Sequence, residues 1–130
     1  MSSGLFNLNG KRALITGSSQ GIGFALAKGL AAEGVEIVLN GRNAEKLVSA
    51  AKALEANSLK THQLAFDATD HTAVREAIDG FESASGAIDI LVNNAGMQHR
   101  TALQDFPPEA FEQLLQTNIA SVFHVGQAVA

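Results

Sequence analysis

The 130-residue chain has no cysteine, no tyrosine and no tryptophan, and its two prolines stand side by side at Pro107-Pro108. Without cysteine there are no disulfides, no thiolate metal sites and no thiol nucleophile, which suits a reducing compartment. Without tyrosine no phenol is available as a proton donor. Positive charge is scarce: the net charge is -4 and no basic stripe runs along the chain, which argues against nucleic acid and anionic membrane as partners. No apolar run reaches membrane-spanning length. Met1 to Asn9 hold only the short cluster Leu5-Phe6-Asn7-Leu8, not the basic-then-apolar order of a signal sequence, so a cytoplasmic location is expected. His62, His71 and His124 lack metal spacing backed by carboxylates, and no metal site is expected.

Glycine, by contrast, is plentiful and placed. Leu14-Ile15-Thr16-Gly17-Ser18-Ser19-Gln20-Gly21-Ile22-Gly23 reads as strand, glycine turn and helix. Ala13 to Ile15 form an apolar run of strand length. From Ile22 the spacing Ile22, Ala25, Leu26, Gly29, Leu30 is helical. Gly17, Gly21 and Gly23 let the backbone turn sharply and approach a ligand closely. The helix end then presents unpaired N–H groups and partial positive charge, a natural seat for phosphate or pyrophosphate. A glycine turn without a ligand is the competing reading.

Further along, Val35 to Asn40 form a second strand, and Ala44 to Ala56 an amphipathic helix. Thr61 to Phe66 form a third strand. Asp70 is placed to cap a helix carrying Val74, Ala77, Ile78 and Phe81, and Ile88 to Val92 form a fourth strand. Strand–helix alternation predicts a doubly wound parallel α/β sheet of Rossmann type, with ligands beyond the carboxyl ends of the strands. The last helical pattern starts at Pro107-Pro108 and runs through Phe111, Leu114, Leu115, Asn118, Ile119, Val122 and Val125. It meets no capping signal before Ala130. The expectation is the N-terminal part, 1–130, of one larger domain, leaving the fourth strand and this helix partly uncovered.

The residues that close the strands carry the chemistry. Dinucleotide sites place an acid at the end of the second strand for the ribose 2′-hydroxyl, but here the sequence is Asn40-Gly41-Arg42. An arginine without a neighbouring acid suits a 2′-phosphate, which predicts NADP over NAD; a solvated loop arginine is the alternative. Asp67, followed by Ala68, either accepts from an adenine amino group or begins a helix. Asn93-Asn94-Ala95-Gly96 is a turn or a close-approach loop. Asn118 falls on a helix face expected to be buried, where its amide needs a partner, from backbone, water or a site.

Thr16-Gly17-Ser18-Ser19-Gln20-Gly21-Ile22-Gly23, Asn93-Asn94-Ala95-Gly96 and Thr117-Asn118-Ile119 together resemble the short-chain dehydrogenase/reductase family, along the whole chain from Leu8-Asn9-Gly10-Lys11. The resemblance implies cofactor contacts at Gly17, Ser19, Gln20, Gly21, Ile22, Gly23, Arg42, Asn43, Asp67, Ala68, Asn94, Ala95 and Gly96. It implies that Asn118 holds a water linking a catalytic lysine to a proton relay. It also implies a serine, tyrosine and lysine, expected beyond residue 130, so that the chain alone should not turn over. Tetramers joined through the last helix are implied as well. Leu5-Phe6-x-Leu8-x-Gly10, Val38 to Asn43 and Gly96-Met97-Gln98-His99-Arg100 resemble members that interconvert a sugar acid and its keto form, with Arg100 as the candidate for the substrate carboxylate or else a surface arginine. Another reductase of the family, such as one for 3-oxoacyl carrier protein, and a non-catalytic dinucleotide-binding module are the alternatives.

Overall fold

The computed structural model describes residues 6–56 and 60–130; Leu5 of the first apolar cluster lies outside them. The elements are β1 (Arg12–Ile15), α1 (Gly21–Ala32), β2 (Glu36–Gly41), α2 (Ala44–Glu55), β3 (Thr61–Ala65), α3 (His71–Ser85) and β4 (Ile90–Val92). A single 3₁₀ turn (Leu103–Asp105) then leads to α4 (Pro108–Leu115) and α5 (Ser121–Val129). All strand pairs are parallel, in the order β3-β2-β1-β4. This is the α/β architecture expected.

Apolar strands need cover on both faces, and the helices supply it. Because side chains alternate along a strand, Ala13, Ile15, Ile37 and Leu39 face one side, where Ala27 and Ala31 of α1 and Leu47, Ala51 and Leu54 of α2 pack on them. Leu14 and Val38 face the other, against Val74 and Ile78 of α3 and Val125 and Ala128 of α5. Gly23, Ala27 and Ala31, spaced by four, give α1 a narrow buried stripe that rests close to the sheet. Asn43 caps α2 by accepting from the Lys46 N–H at 3.1 Å, and Asp70 caps α3 by accepting from Ala73 N–H at 3.1 Å.

The C-terminal helical pattern departs from the sequence reading. α4 and α5 are joined by a π-helical turn, Gln116–Ala120, which takes extra residues per turn and rotates the stripe. Val125 and Ala128 are buried, but Phe111, Leu115, Ile119, Val122 and Phe123 are exposed, which leaves the helix partly uncovered, as expected. Asn118, expected on a buried face, is exposed, on a part of the helix that no described element covers fully. β4 is shorter than the apolar run that predicted it: Ile88 precedes it, buried in the second core cluster.

At the amino end of the sheet, Glu36 accepts from Arg12 Nε at 2.9 Å and pairs with Arg12, Lys60 and His62. Arg12 also lies over the Phe81 ring and donates to the Ser85 carbonyl, tying β1, β2 and α3 together. Glu36 therefore belongs to a structural cluster at the opposite end from the strand carboxyl termini.

Candidate functional site

Beyond the carboxyl ends of the strands lies a cleft of about 1050 Å³. It is built on a buried polar brace. Asn40, closing β2, accepts from the Gly17 N–H through Oδ1 at 3.0 Å, and its Nδ2 donates to the carbonyls of Leu64 and Phe66. Its backbone N–H donates to Ser18 Oγ at 3.0 Å, while Ser18 N–H donates to the Asn40 carbonyl at 2.8 Å. One short amide thus locks the glycine loop to the ends of β2 and β3. On the other side, Thr16 Oγ1 accepts from the N–H groups of Asn94 and Ala95 at 3.0 and 2.9 Å. Asn94 Nδ2 returns the contact by donating to the carbonyls of Thr16 and Gly17. The loop is clamped from both flanks before any ligand arrives.

Two glycines make that packing possible. Gly17 has φ +60 and passes so close to Ala95 that a β-carbon would sit 3.1 Å from its Cα. At Gly23 a β-carbon would come within 2.5 Å of both Asn94 Nδ2 and the Gly17 carbonyl oxygen. Gln20, the residue before α1, supplies no side-chain cap, so the first-turn N–H groups of α1 lack side-chain partners among the described residues. This open end, beside a loop in which Gly17 and Gly21 carry no side chain, fits a pyrophosphate.

Across the cleft, Asp67 Oδ1 accepts from Thr69 N–H at 2.9 Å and Thr69 Oγ1 at 2.7 Å. Partial burial works to raise the Asp67 pKa, but the Thr69 hydrogen bonds and the nearby Arg42 charge outweigh it and hold the carboxyl below its ordinary value. Asp70, not Asp67, caps α3, so the Asp67 carboxylate is left as an ionised acceptor lining the cleft.

Of the residues predicted to meet a cofactor, Gly17, Ser19, Gln20, Arg42, Asn43, Asp67, Ala68, Asn94, Ala95 and Gly96 line this cleft. Gly21, Ile22 and Gly23 do not; they form the first turn of α1, with Gly23 buried and the Ile22 side chain exposed. Asn118 also lies outside the lining, but its amide pairs with backbone: Oδ1 accepts from Met97 N–H at 2.8 Å and Nδ2 donates to the Met97 carbonyl at 3.0 Å. The partner that its amide required is therefore the backbone after Gly96, and the π turn carries that contact. Arg100 is exposed on the following loop and is not brought to the cleft. Sequence reasoning passed over Thr16, Ser18 and Thr69 as contact-makers, and Asn40 as more than a missing acid. Their only signal is a small polar residue at or just after the end of an apolar strand.

Comparison with known proteins decides the family. The profile described as short chain dehydrogenase matches residues 11–130. The chain belongs to the short-chain dehydrogenase family. It is 53% identical over 126 residues to gluconate 5-dehydrogenase of Gluconobacter oxydans, which covers 97% of this chain and 49% of that protein. It is 40% identical to 5-keto-D-gluconate 5-reductase of Escherichia coli, covering 96% of this chain and 49% of that one. In structure it resembles a gluconate 5-dehydrogenase from Burkholderia cenocepacia crystallised with NADP and tartrate, with TM-score 0.91, 49% identity and coverage of 95% and 48%. The chain thus spans about half the length of these short-chain dehydrogenases. Among the described residues, no helix is long and apolar enough to cross a membrane.

Proposed function

We propose that the chain supplies the dinucleotide-binding half of an NADP-dependent short-chain dehydrogenase that moves a hydride between NADP(H) and a sugar acid of the D-gluconate/5-keto-D-gluconate type. The observation that carries the cofactor part is the end of β2, where Arg42 lines the cleft and no carboxylate accompanies it in Asn40-Gly41-Arg42. A guanidinium there pairs with a 2′-phosphate in a two-pronged contact, and the missing acid removes the repulsion the phosphate would meet. The identity to gluconate 5-dehydrogenase supports the substrate part.

Bound nicotinamide dinucleotide supplies the hydride. The chain's own residues bind and orient. The first turn of α1, with the loop from Gly17 to Gly23, receives the pyrophosphate. Asp67, held ionised and with Ala68 beside it, accepts from the adenine amino group, and Asn43 stands with Arg42 at the ribose. Asn94, Ala95 and Gly96 form the wall toward the nicotinamide. Asn118 fixes the backbone at Met97 and so holds that wall in place. The tyrosine that the family resemblance implies as proton donor to the forming alkoxide is not in this sequence, and turnover is assigned to the whole enzyme. The exposed apolar residues of α4 and α5 support a tetramer contact along that helix.

The test is NADPH oxidation by the whole enzyme with 5-keto-D-gluconate. Turnover on that keto acid, with none on a 3-oxoacyl thioester, is the expected result; the reverse preference overturns the substrate reading. Arg100, exposed on the loop after Gly96 and outside the dinucleotide cleft, is the proposed contact for the substrate carboxylate, so Arg100→Ala should raise KM for 5-keto-D-gluconate with little change in kcat. An unchanged KM removes Arg100 from the site.

A further inference from the structure

Two side chains of positive charge line the cleft, and one of them is Arg42. The other is Lys46. The glycine loop from Gly17 to Gly23 contains no charged residue, so it contributes no cation to a phosphate on the ribose. Such a phosphate carries between one and two negative charges at neutral pH. Arg42 offers one positive charge, and that charge is partly answered by Asp67, close enough to feel it. A single guanidinium leaves the phosphate under-neutralised.

Lys46 is well placed to make up the difference. It is the third residue of α2, and its backbone N–H is held by the capping Asn43 side chain at 3.1 Å. Helical side chains lean toward the amino end of their helix, which directs the Lys46 stem back over Arg42 and Asn43. Neither Arg42 nor Lys46 has a hydrogen bond or salt bridge from its side chain to any of the described residues. Ser19 Oγ reaches the same corner, 3.4 Å from where a β-carbon on Gly41 would stand.

We infer that Lys46 is the second cation of the 2′-phosphate site, and that Arg42 and Lys46 together set the choice of a 2′-phosphorylated adenosine. This rests on the NADP reading above, and the test separates the two. Adenosine 2′,5′-bisphosphate and 5′-AMP are titrated calorimetrically into the whole protein and into R42Q, K46Q, K46R and K52Q. Lys52 lies on the same helix but not on the cleft, and serves as the charge control. The expected result is that K46Q weakens the bisphosphate about tenfold, in keeping with loss of one charge-assisted contact. In the same variant 5′-AMP changes less than twofold, K46R retains most of the affinity, and K52Q behaves as wild type. Weakening in K46Q should shrink as salt rises, since the lost attraction is screened. If wild type prefers the bisphosphate, R42Q loses that preference and K46Q keeps it, the inference is overturned while the NADP reading stands. Equal weakening of both ligands in K46Q also overturns it. If wild type shows no preference at all, both readings fail together.

Discussion

Asn40 shows how much one short amide can decide. It is buried, it joins the glycine loop to two strand ends, and none of its side-chain atoms is left unpaired among the described residues. Replacing it by the near-isosteric leucine would strand the Gly17 N–H and two carbonyls, so Asn40→Leu should cost about 2–4 kcal/mol, read from the denaturant midpoint. A loss under about 0.5 kcal/mol would mean that the loop finds other partners. The role proposed for Arg42 is in binding, and little effect on stability is expected because it is exposed and makes no side-chain hydrogen bond to the described residues. Arg42→Ala should lower NADPH affinity at least tenfold with NADH little altered, as direct titration will show. That Arg42 lies on the cleft was legible from its place at the end of the second strand, in Asn40-Gly41-Arg42. The roles of Thr16, Ser18 and Asn40 were not, because a small polar residue at a strand end reads as a turn former until its distant partners are known.

At the scale of elements, the strands, the first three helices and the cap at Asp70 follow from local rules: period, capping chemistry and β-branched runs. The π turn between α4 and α5 does not. Nothing in Gln116-Thr117-Asn118-Ile119-Ala120 departs from an ordinary helical sequence, and the extra residue in the turn is seen only with Met97 beside Asn118. Removing that bridge in Asn118→Ala should cost about 1–2 kcal/mol and speed amide exchange at Met97, with β1 and β2 unaffected. Unchanged exchange would show that the loop is held elsewhere. The other end of the sheet carries a pH dependence. Burial opposes ionisation of Glu36, but hydrogen bonds from His62, Lys60 and Arg12 and the Arg12 charge dominate, bringing its pKa from 4.5 down to about 2. A depressed folded-state value means the stabilisation is full above pH 4.5 and is lost as pH falls from there toward 2. Glu36→Gln should therefore be less stable than wild type at neutral pH and should flatten the acid limb of the stability curve in that window. Parallel curves for the two proteins would contradict this assignment.

For the whole molecule, the doubly wound sheet follows from the strand–helix alternation, and the exposed apolar surface lies on the helices after β4, which were expected to be partly uncovered. Phe111, Ile119 and Phe123 are each more than half exposed. If this face joins subunits, Phe123→Glu should lower the mass seen by light scattering while leaving NADPH affinity within about twofold. An unchanged mass would place the contact elsewhere. The cleft itself joins residues from the glycine loop, β2, the start of α2, the β3–α3 turn, the loop after β4, α4 and the π turn, and it is the proposed seat of a 2′-phosphorylated dinucleotide. The most direct measurement is the pair of dissociation constants for NADPH and NADH, taken side by side on the whole protein at one ionic strength. Binding of NADPH at least tenfold tighter than NADH is the result expected from Arg42 facing a site without a carboxylate at the end of β2; equal binding, or tighter NADH, would contradict it.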